Sequence, residues 1–166
     1  MVREAMAEID RTEMNQYLTF TLQNELFALD ISVVREVLQW THITKVPRTK
    51  SFRRGIINVR GNAVPVIDLN MRFGKTRTDK TVNSCIIIVE VELEGEATII
   101  GAMADSVEEV YEIHPSKVAE APNMGTSIDQ VFIKGMAQHG NNFIMILNRD
   151  TVFSSQYDKV SGGNAA

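Results

Sequence analysis

One pattern of residues occurs twice in the sequence, at an offset of about eighty positions. Residues 52–69 hold a phenylalanine, a glycine three positions later, a Gly-Asn pair and an apolar run, and residues 132–147 hold the same succession. Residues 34–37 and 107–110 are also similar, at an offset of about 75. Such self-similarity is typical of repeated structural units. Units of about 65–75 residues bury a limited part of their surface alone, so we expect the two copies to pack together.

The apolar residues mostly follow a period of two, which is the pattern of β-strands. Leu18, Phe20 and Leu22 alternate with polar residues, and other apolar runs are separated by short polar or glycine-containing pairs. These runs predict β-hairpins. We expect a mainly all-β fold of two five-stranded units, each closed into a β-barrel that protects its sheet edges. Short helical connections are expected after residue 31 and at residues 69–74.

The domain organisation follows from the repeat. We expect a single domain over residues 16–155, made of two barrel subdomains at about 16–81 and 82–155, with the chain able to cross between them near their ends. Residues 1–15 are interpreted as a flexible N-terminus and residues 156–166 as a C-terminal tail, as is common at chain ends.

The charges are unevenly distributed along the chain. The net charge is −4, but residues 16–81 hold eleven Lys/Arg and five Asp/Glu, whereas residues 82–158 hold three and twelve. Residues 45–60 contain six cations and no acid, and residues 90–112 contain eight acids and no base. This asymmetry indicates a site for a polyanion, a polarised protein-docking surface, or solvated charge without a partner.

The residue patterns of the common enzymes are missing. The sequence has no GxSxG, GxxxxGK[ST], HExxH or CxxC pattern. His42, His114 and His139 are far apart, and Glu108-Glu109 would point to opposite faces of a strand. We therefore expect no catalytic activity, no cofactor and no metal site. Cys85 lies in an apolar run, which predicts a buried structural thiol.

The sequence also indicates the cellular compartment of the protein. No stretch approaches the roughly 20 apolar residues of a membrane-spanning helix, and the first eleven residues lack the apolar core of a signal peptide. These features predict a cytoplasmic protein without direct membrane insertion.

A single-stranded nucleic-acid interface is the alternative function. Small β-barrels that bind single strands combine positive charge with exposed aromatic side chains. The basic window Lys45–Arg60 contains Phe52 and follows Trp40. The sequence pI of about 5.4 argues against this interpretation, because nucleic-acid-binding domains are usually basic.

Six segments together resemble the CheW family of chemotaxis coupling proteins, over about residues 16–155. Their order and spacing are more specific than any one motif. The segments are residues 16–22, 27–31, 34–37, 43–47, 52–61 and 64–69, with a second-half signature at 105–110 and 132–135. After Val46-Pro47 the chain continues with Arg48-Thr49-Lys50, which is more basic than is usual in that family.

The resemblance implies an adaptor without catalytic activity, built from two SH3-like five-stranded barrels around a shared apolar core. Its expected partners are the regulatory domain of a CheA-type histidine kinase and the cytoplasmic tip of a chemoreceptor, but no nucleic acid. We expect a monomer in isolation and recruitment to receptor arrays at the inner membrane.

The same resemblance assigns residues to two surfaces. The receptor-binding residues are Val34, Arg35, Glu36, Arg60 and Val107. The kinase-binding residues are Ile43, Val46, Pro47, Pro122 and Met124. Two questions stay open at this point. The first is whether Glu36 and Arg60 form a structural ion pair or whether Arg60 binds a carboxylate of a partner. The second is whether Val34 and Val107 line a groove between the barrels or pack in the core.

Overall fold

The computed structural model describes residues 14–120 and 128–155. This part of the chain forms ten β-strands, two one-turn α-helices and three 3-10 turns, at Ile31–Val33, Pro115–Lys117 and Gln130–Phe132. The strands are β1 (Asn15–Leu22), β2 (Glu25–Asp30), β3 (Val34–Gln39), β4 (Arg53–Val59), β5 (Asn62–Asp68), β6 (Cys85–Leu93), β7 (Glu96–Ala104), β8 (Ser106–Ile113), β9 (Ile133–His139) and β10 (Asn142–Leu147). Helix α1 (Leu69–Arg72) follows β5, and helix α2 (Arg149–Val152) follows β10.

The strands form two five-stranded sheets with the same topology. Sheet A has the order β8-β1-β2-β10-β9, and sheet B has the order β3-β6-β7-β5-β4. Each sheet contains one parallel pair, β2 with β10 and β5 with β7, and its other pairs are antiparallel. The expected all-β fold with two five-stranded units and short helical connections is confirmed.

The division between the sheets does not fall at residue 81, where the sequence halves meet. Sheet B is formed by the continuous segment from β3 to β7, and sheet A combines β1 and β2 with β8, β9 and β10. If β1–β5 and β6–β10 are the two repeats, each sheet takes two strands from one repeat and three from the other. The chain crosses after β2 and again after β7, because Ile31–Val33 and Asp105 lead it from one sheet into the other.

A backbone bridge closes each sheet into a barrel. Thr44, which follows edge strand β3, exchanges two hydrogen bonds with Ile56 of edge strand β4, with N–O distances of 2.9 and 2.8 Å. Ala119 and Met136 make the equivalent bridge between the ends of sheet A. Closure of this kind leaves no long unpaired edge.

Glycine is required at the seam of each barrel. A Cβ atom on Gly55 would lie 2.1 Å from the Thr44 carbonyl oxygen, and one on Gly135 would lie 2.4 Å from the Val118 side chain. The Phe-x-x-Gly repeat in the sequence therefore marks the two places where the seam approaches most closely.

The core has three layers. One cluster lies within sheet B and contains Ile57, Val66 and Ile88, and another lies within sheet A and contains Ala28 and Ile144. The largest cluster draws on both sheets; its members include Phe20, Phe27, Leu29, Ile67, Leu69, Phe73, Ile87, Val89, Phe132, Met145 and Leu147. Successive residues of β6 face different layers, which explains why its apolar run is almost continuous.

A buried arginine joins the two repeats. Arg72 of α1 is 1% exposed, and it donates hydrogen bonds to three backbone carbonyls around the end of α2, those of Thr151, Val152 and Ser154, at 3.2, 2.9 and 3.0 Å. Its guanidinium also lies 4.7 and 4.9 Å from the ring centroids of Phe52 and Phe132. A buried cation needs such compensation, because desolvation is costly.

We expect Arg72→Met to lower the free energy of unfolding by about 3 kcal/mol, because it leaves buried carbonyl groups without their donor. Urea denaturation measures the effect. Arg149→Met is the matched control, since Arg149 is exposed on α2, and should change stability by less than about 0.5 kcal/mol. Equal denaturation midpoints for the two variants would contradict this account.

The Cys85 thiol is buried in β6, as the sequence predicts. Burial, with a smaller contribution from the charge of Asp105, raises the pKa of the Cys85 thiol to about 11. We expect the folded protein to react with a disulfide reagent at pH 8 at least roughly 100-fold more slowly than the urea-unfolded chain. Similar rates in the two states would show that the thiol is accessible.

Candidate protein-interaction site

An ion pair crosses the seam of the sheet B barrel. Glu36 lies on edge strand β3, and Arg60 lies in the two-residue turn after edge strand β4. Arg60 Nη1 donates to Glu36 Oε1 at 3.2 Å, and Nη2 donates to Oε2, so the contact is bidentate. The barrel is thus bridged at the seam by backbone at Thr44–Ile56 and by side chains at Glu36–Arg60.

The Gly61-Asn62 pair predicts a two-residue hairpin turn at these positions, and the structure places the turn one residue earlier. The turn residues are Arg60 and Gly61, with φ of 50° and 88°, and Asn62 is already the first residue of β5. Positive φ at both positions is the property of the type I′ turn, whose twist matches that of the paired strands. The Asn58 side chain accepts a hydrogen bond from the Gly61 N–H at 2.8 Å, which stabilises the turn and so positions Arg60.

The pair is exposed to solvent on its Arg60 side. The Arg60 side chain is 71% exposed and that of Glu36 is 29% exposed. The hydrogen bond from Arg60 lowers the pKa of the Glu36 carboxyl, against a smaller opposing effect of desolvation, and the same contact raises the pKa of Arg60. Both groups therefore stay charged, and an exposed pair of this kind orients its side chains more than it stabilises the fold.

Arg35 and Glu36 point to opposite faces of β3, because successive side chains of a strand alternate between its two faces. Arg35 is exposed and bonded to Glu90 of the neighbouring strand β6, whereas Glu36 turns to Arg60. Val37 shares the outward face with Arg35 and is 42% exposed. The sequence interpretation did not single out Val37, although the two-residue period places it on the same face as Arg35.

Val34 and Val107 are half-buried, and both pack against the core cluster that the two sheets share. Val34 begins β3 in sheet B, and Val107 lies in β8 of sheet A. Each valine is therefore packed in the shared core on one side and exposed at the junction of the barrels on the other.

The candidate kinase-binding residues of the first half lie in the segment between β3 and β4. Ile43 is half-buried against the core of sheet B, whereas Val46 and Pro47 are exposed. Pro122 and Met124 lie outside the described residues.

The aromatic residues in and next to the basic window are wholly or partly covered. Phe52 is 7% exposed, with the Arg72 guanidinium over its ring. Trp40 is half-buried, with the Arg54 guanidinium 5.4 Å from its ring centroid. Because single-strand binding depends on exposed rings, the structure does not favour the nucleic-acid alternative.

Within residues 14–120 and 128–155, His, Cys, Asp and Glu side chains form no group of three or more that could hold a metal ion. His114 accepts a hydrogen bond from the Ser116 backbone at 3.0 Å, and His139 stacks on Tyr111 with ring centroids 4.1 Å apart. In the same described ranges, no helix has the length and apolar character needed to cross a membrane.

The fold is that of two packed five-stranded β-barrels. Residues 16–157 match the model of the CheW-like domain, and the chain therefore belongs to the CheW family.

Several curated relatives align with this chain over most of their length. The chain is 25% identical to the chemotaxis protein CheW of Rhizobium meliloti, with 85% of this chain and 88% of that protein covered. It is 26% identical to CheW of Bacillus subtilis, with 90% and 92% covered. Among solved structures, the scaffolding protein TtCheW of Thermoanaerobacter tengcongensis matches with a TM-score of 0.75 and 38% identity, over 84% of this chain and 88% of that one.

We expect Arg60→Ala to raise the pKa of the Glu36 carboxyl toward its ordinary value, because the hydrogen bond from Arg60 is the main cause of the depression. A lowered folded-state pKa stabilises the fold above the ordinary pKa and loses that effect as pH falls through the folded value. Carbon-detected NMR titration of Glu36 measures the shift. Arg35→Ala is the control and should leave the Glu36 titration unchanged; an unaltered midpoint in Arg60→Ala would contradict the pairing.

Proposed function

We propose that this protein is a chemotaxis adaptor that couples the cytoplasmic tips of chemoreceptors to a CheA-type histidine kinase and supports assembly of their signalling array, without catalysis of its own. The observation that carries the proposal is the match of residues 16–157 to the CheW-like domain. Two relatives are named chemotaxis proteins, and the solved structure is described as a scaffolding protein. Such a protein acts in the cytoplasm, at the receptor array.

The receptor tip is proposed to bind near the seam of the sheet B barrel and the junction with sheet A. Val34 and Val107 supply apolar surface at the margin of the shared core. Arg35 and Arg60 supply exposed guanidinium groups, each held by a carboxylate, Glu90 or Glu36. A helical tip that combines apolar and charged side chains fits this composition.

The kinase regulatory domain is proposed to bind at the end of the sheet B barrel, through Ile43, Val46 and Pro47. Val46 and Pro47 are exposed apolar residues next to the half-buried Ile43, which joins them to the barrel core. An exposed apolar side chain anchored close to the core loses little conformational entropy on binding. Pro122 and Met124 remain proposed contacts to the kinase on the second repeat.

We expect Val46→Asn to weaken binding of the kinase regulatory domain by about tenfold, because the substitution replaces an apolar contact with an amide and keeps the charge. Isothermal titration calorimetry of the full chain against that domain measures the affinity. Val82→Asn is the matched control, because Val82 is 96% exposed and should tolerate the same change with an unaltered Kd. Absence of saturable binding by the wild-type chain would contradict the adaptor function.

A further inference from the structure

The structure brings two separate segments together into a basic groove next to Val46. The groove has a volume of about 260 Å³ and is lined on one side by the segment between β3 and β4 together with the first residues of β4, and on the other by Arg77 of the loop after α1. Its charged lining residues are Lys45, Arg48, Lys50, Arg53, Arg54 and Arg77, and the described lining contains no acid. Lys80 lines the neighbouring cavity, which shares Lys45 and Arg54 with the groove.

The positive charge of this groove is mostly uncompensated. Arg54 is neutralised by the buried Asp68, with an Nη1–Oδ2 distance of 2.8 Å. Lys45, Arg48, Lys50, Arg77 and Lys80 are exposed and form no ion pair within residues 14–120 and 128–155. Asp79 is the one acid in residues 74–84. Several like charges that line one groove repel one another unless a partner or counterions neutralise them.

One buried carboxylate joins strand β4 to the Arg77 side of the groove. Asp68 accepts hydrogen bonds from Arg54 and from Thr78, the latter through its backbone N–H at 2.9 Å and its hydroxyl at 2.7 Å. Thr78 is itself buried and follows Arg77 directly. Because Asp68 is fully buried and bonded to both Arg54 and Thr78, the loop that carries Arg77 is joined to strand β4 before any partner binds.

The chemistry of the groove fits carboxylate groups presented by a protein. Guanidinium groups bind carboxylates through paired hydrogen bonds, and the groove includes the apolar side chains of Val46 and Met71 among its cations. A partner that presents acidic side chains beside an apolar one would satisfy both features. Nucleic acid is disfavoured, because Phe52 is buried and Trp40 is half-buried with the Arg54 guanidinium over its ring.

We propose that this groove binds an acidic segment of the kinase regulatory domain, and that its charge selects the kinase that this adaptor serves. The inference rests on the proposed function, because it concerns the partner assigned to Ile43, Val46 and Pro47. Complementary charge across an interface accelerates association and suppresses docking of like-charged partners. A kinase that carries neutral or basic residues at the matching position binds this chain weakly.

The test compares two charge-reversed variants of the full chain. Lys50→Glu with Arg77→Glu alters one residue on each wall of the groove. Lys117→Glu with Lys134→Glu is the matched control, because both lysines are exposed near or in sheet A and both double variants change the net charge from −4 to −8. Thermal denaturation establishes that both are folded, and Lys50→Gln with Arg77→Gln separates loss of positive charge from repulsion.

Calorimetry and stopped-flow association with the kinase regulatory domain give the readout at about 50 and about 300 mM salt. We expect the groove variant to lose at least about tenfold in affinity at low salt, mostly through slower association, and to show a weaker salt dependence than the wild type. The affinity of the glutamine variant should lie between those of the wild type and the glutamate groove variant. The affinity of the control should stay within about twofold of the wild type.

Three results would overturn the inference. Saturable wild-type binding that neither salt nor the groove variant alters would remove the groove from the interface and leave the adaptor function intact. The groove would also be removed from the kinase interface if the groove variant keeps its kinase affinity but loses the wild type's binding to a single-stranded oligonucleotide. That result would identify a nucleic-acid site. No wild-type binding to the kinase domain would overturn the adaptor function together with the inference.

Discussion

The apolar layer shared by the two sheets is the interaction on which the rest of the structure depends. Phe20, Phe27 and Leu29 from sheet A pack there against Ile67, Ile87 and Val89 from sheet B. Neither sheet covers this face by itself, and burial of apolar surface is the main driving force of folding. Because each repeat contributes strands to both sheets, separating the two repeats would break strand pairings within each sheet. The two barrels themselves are held together by the shared apolar layer and by the two chain crossings after β2 and β7.

Buried polar groups also fix the arrangement of the structural elements. Arg72 carries a charge into the core and uses it to bind the carbonyl groups at the end of the other repeat's helix. Asp68 caps α1 and joins Arg54 of β4 to Thr78, which follows Arg77 of the basic groove. Both side chains are nearly inaccessible to solvent. Buried polar groups of this kind add less to stability than to a unique arrangement when they are fully bonded, and here that arrangement orders the loops at the surface.

The surface properties agree with a protein that acts by binding. The exposed pair Glu36–Arg60 and the exposed residues of the segment between β3 and β4 lie on one barrel, at opposite ends of its short seam region. The acids of residues 90–112 lie outside the basic groove. A body with separate surfaces can hold two partners at a set distance, as the proposed adaptor function requires. The CheW family membership gives this arrangement its biological context.

Much of this architecture follows from the sequence alone. The period-two pattern, the Phe-x-x-Gly repeat and the hairpin signals identify the strands, the two five-stranded units and the approximate turns, because these depend on local periodicity and on the conformational freedom of glycine. The resemblance to one family also comes from sequence order. Local patterns do not determine which strands pair, however, so the division at residue 81 does not reproduce the two sheets. Pairing of β2 with β10 and of β5 with β7 depends on long-range burial. For the same reason, only the tertiary structure placed Arg77 and Lys80 beside Lys45, buried Thr78 within a charged loop, and covered the rings of Phe52 and Trp40.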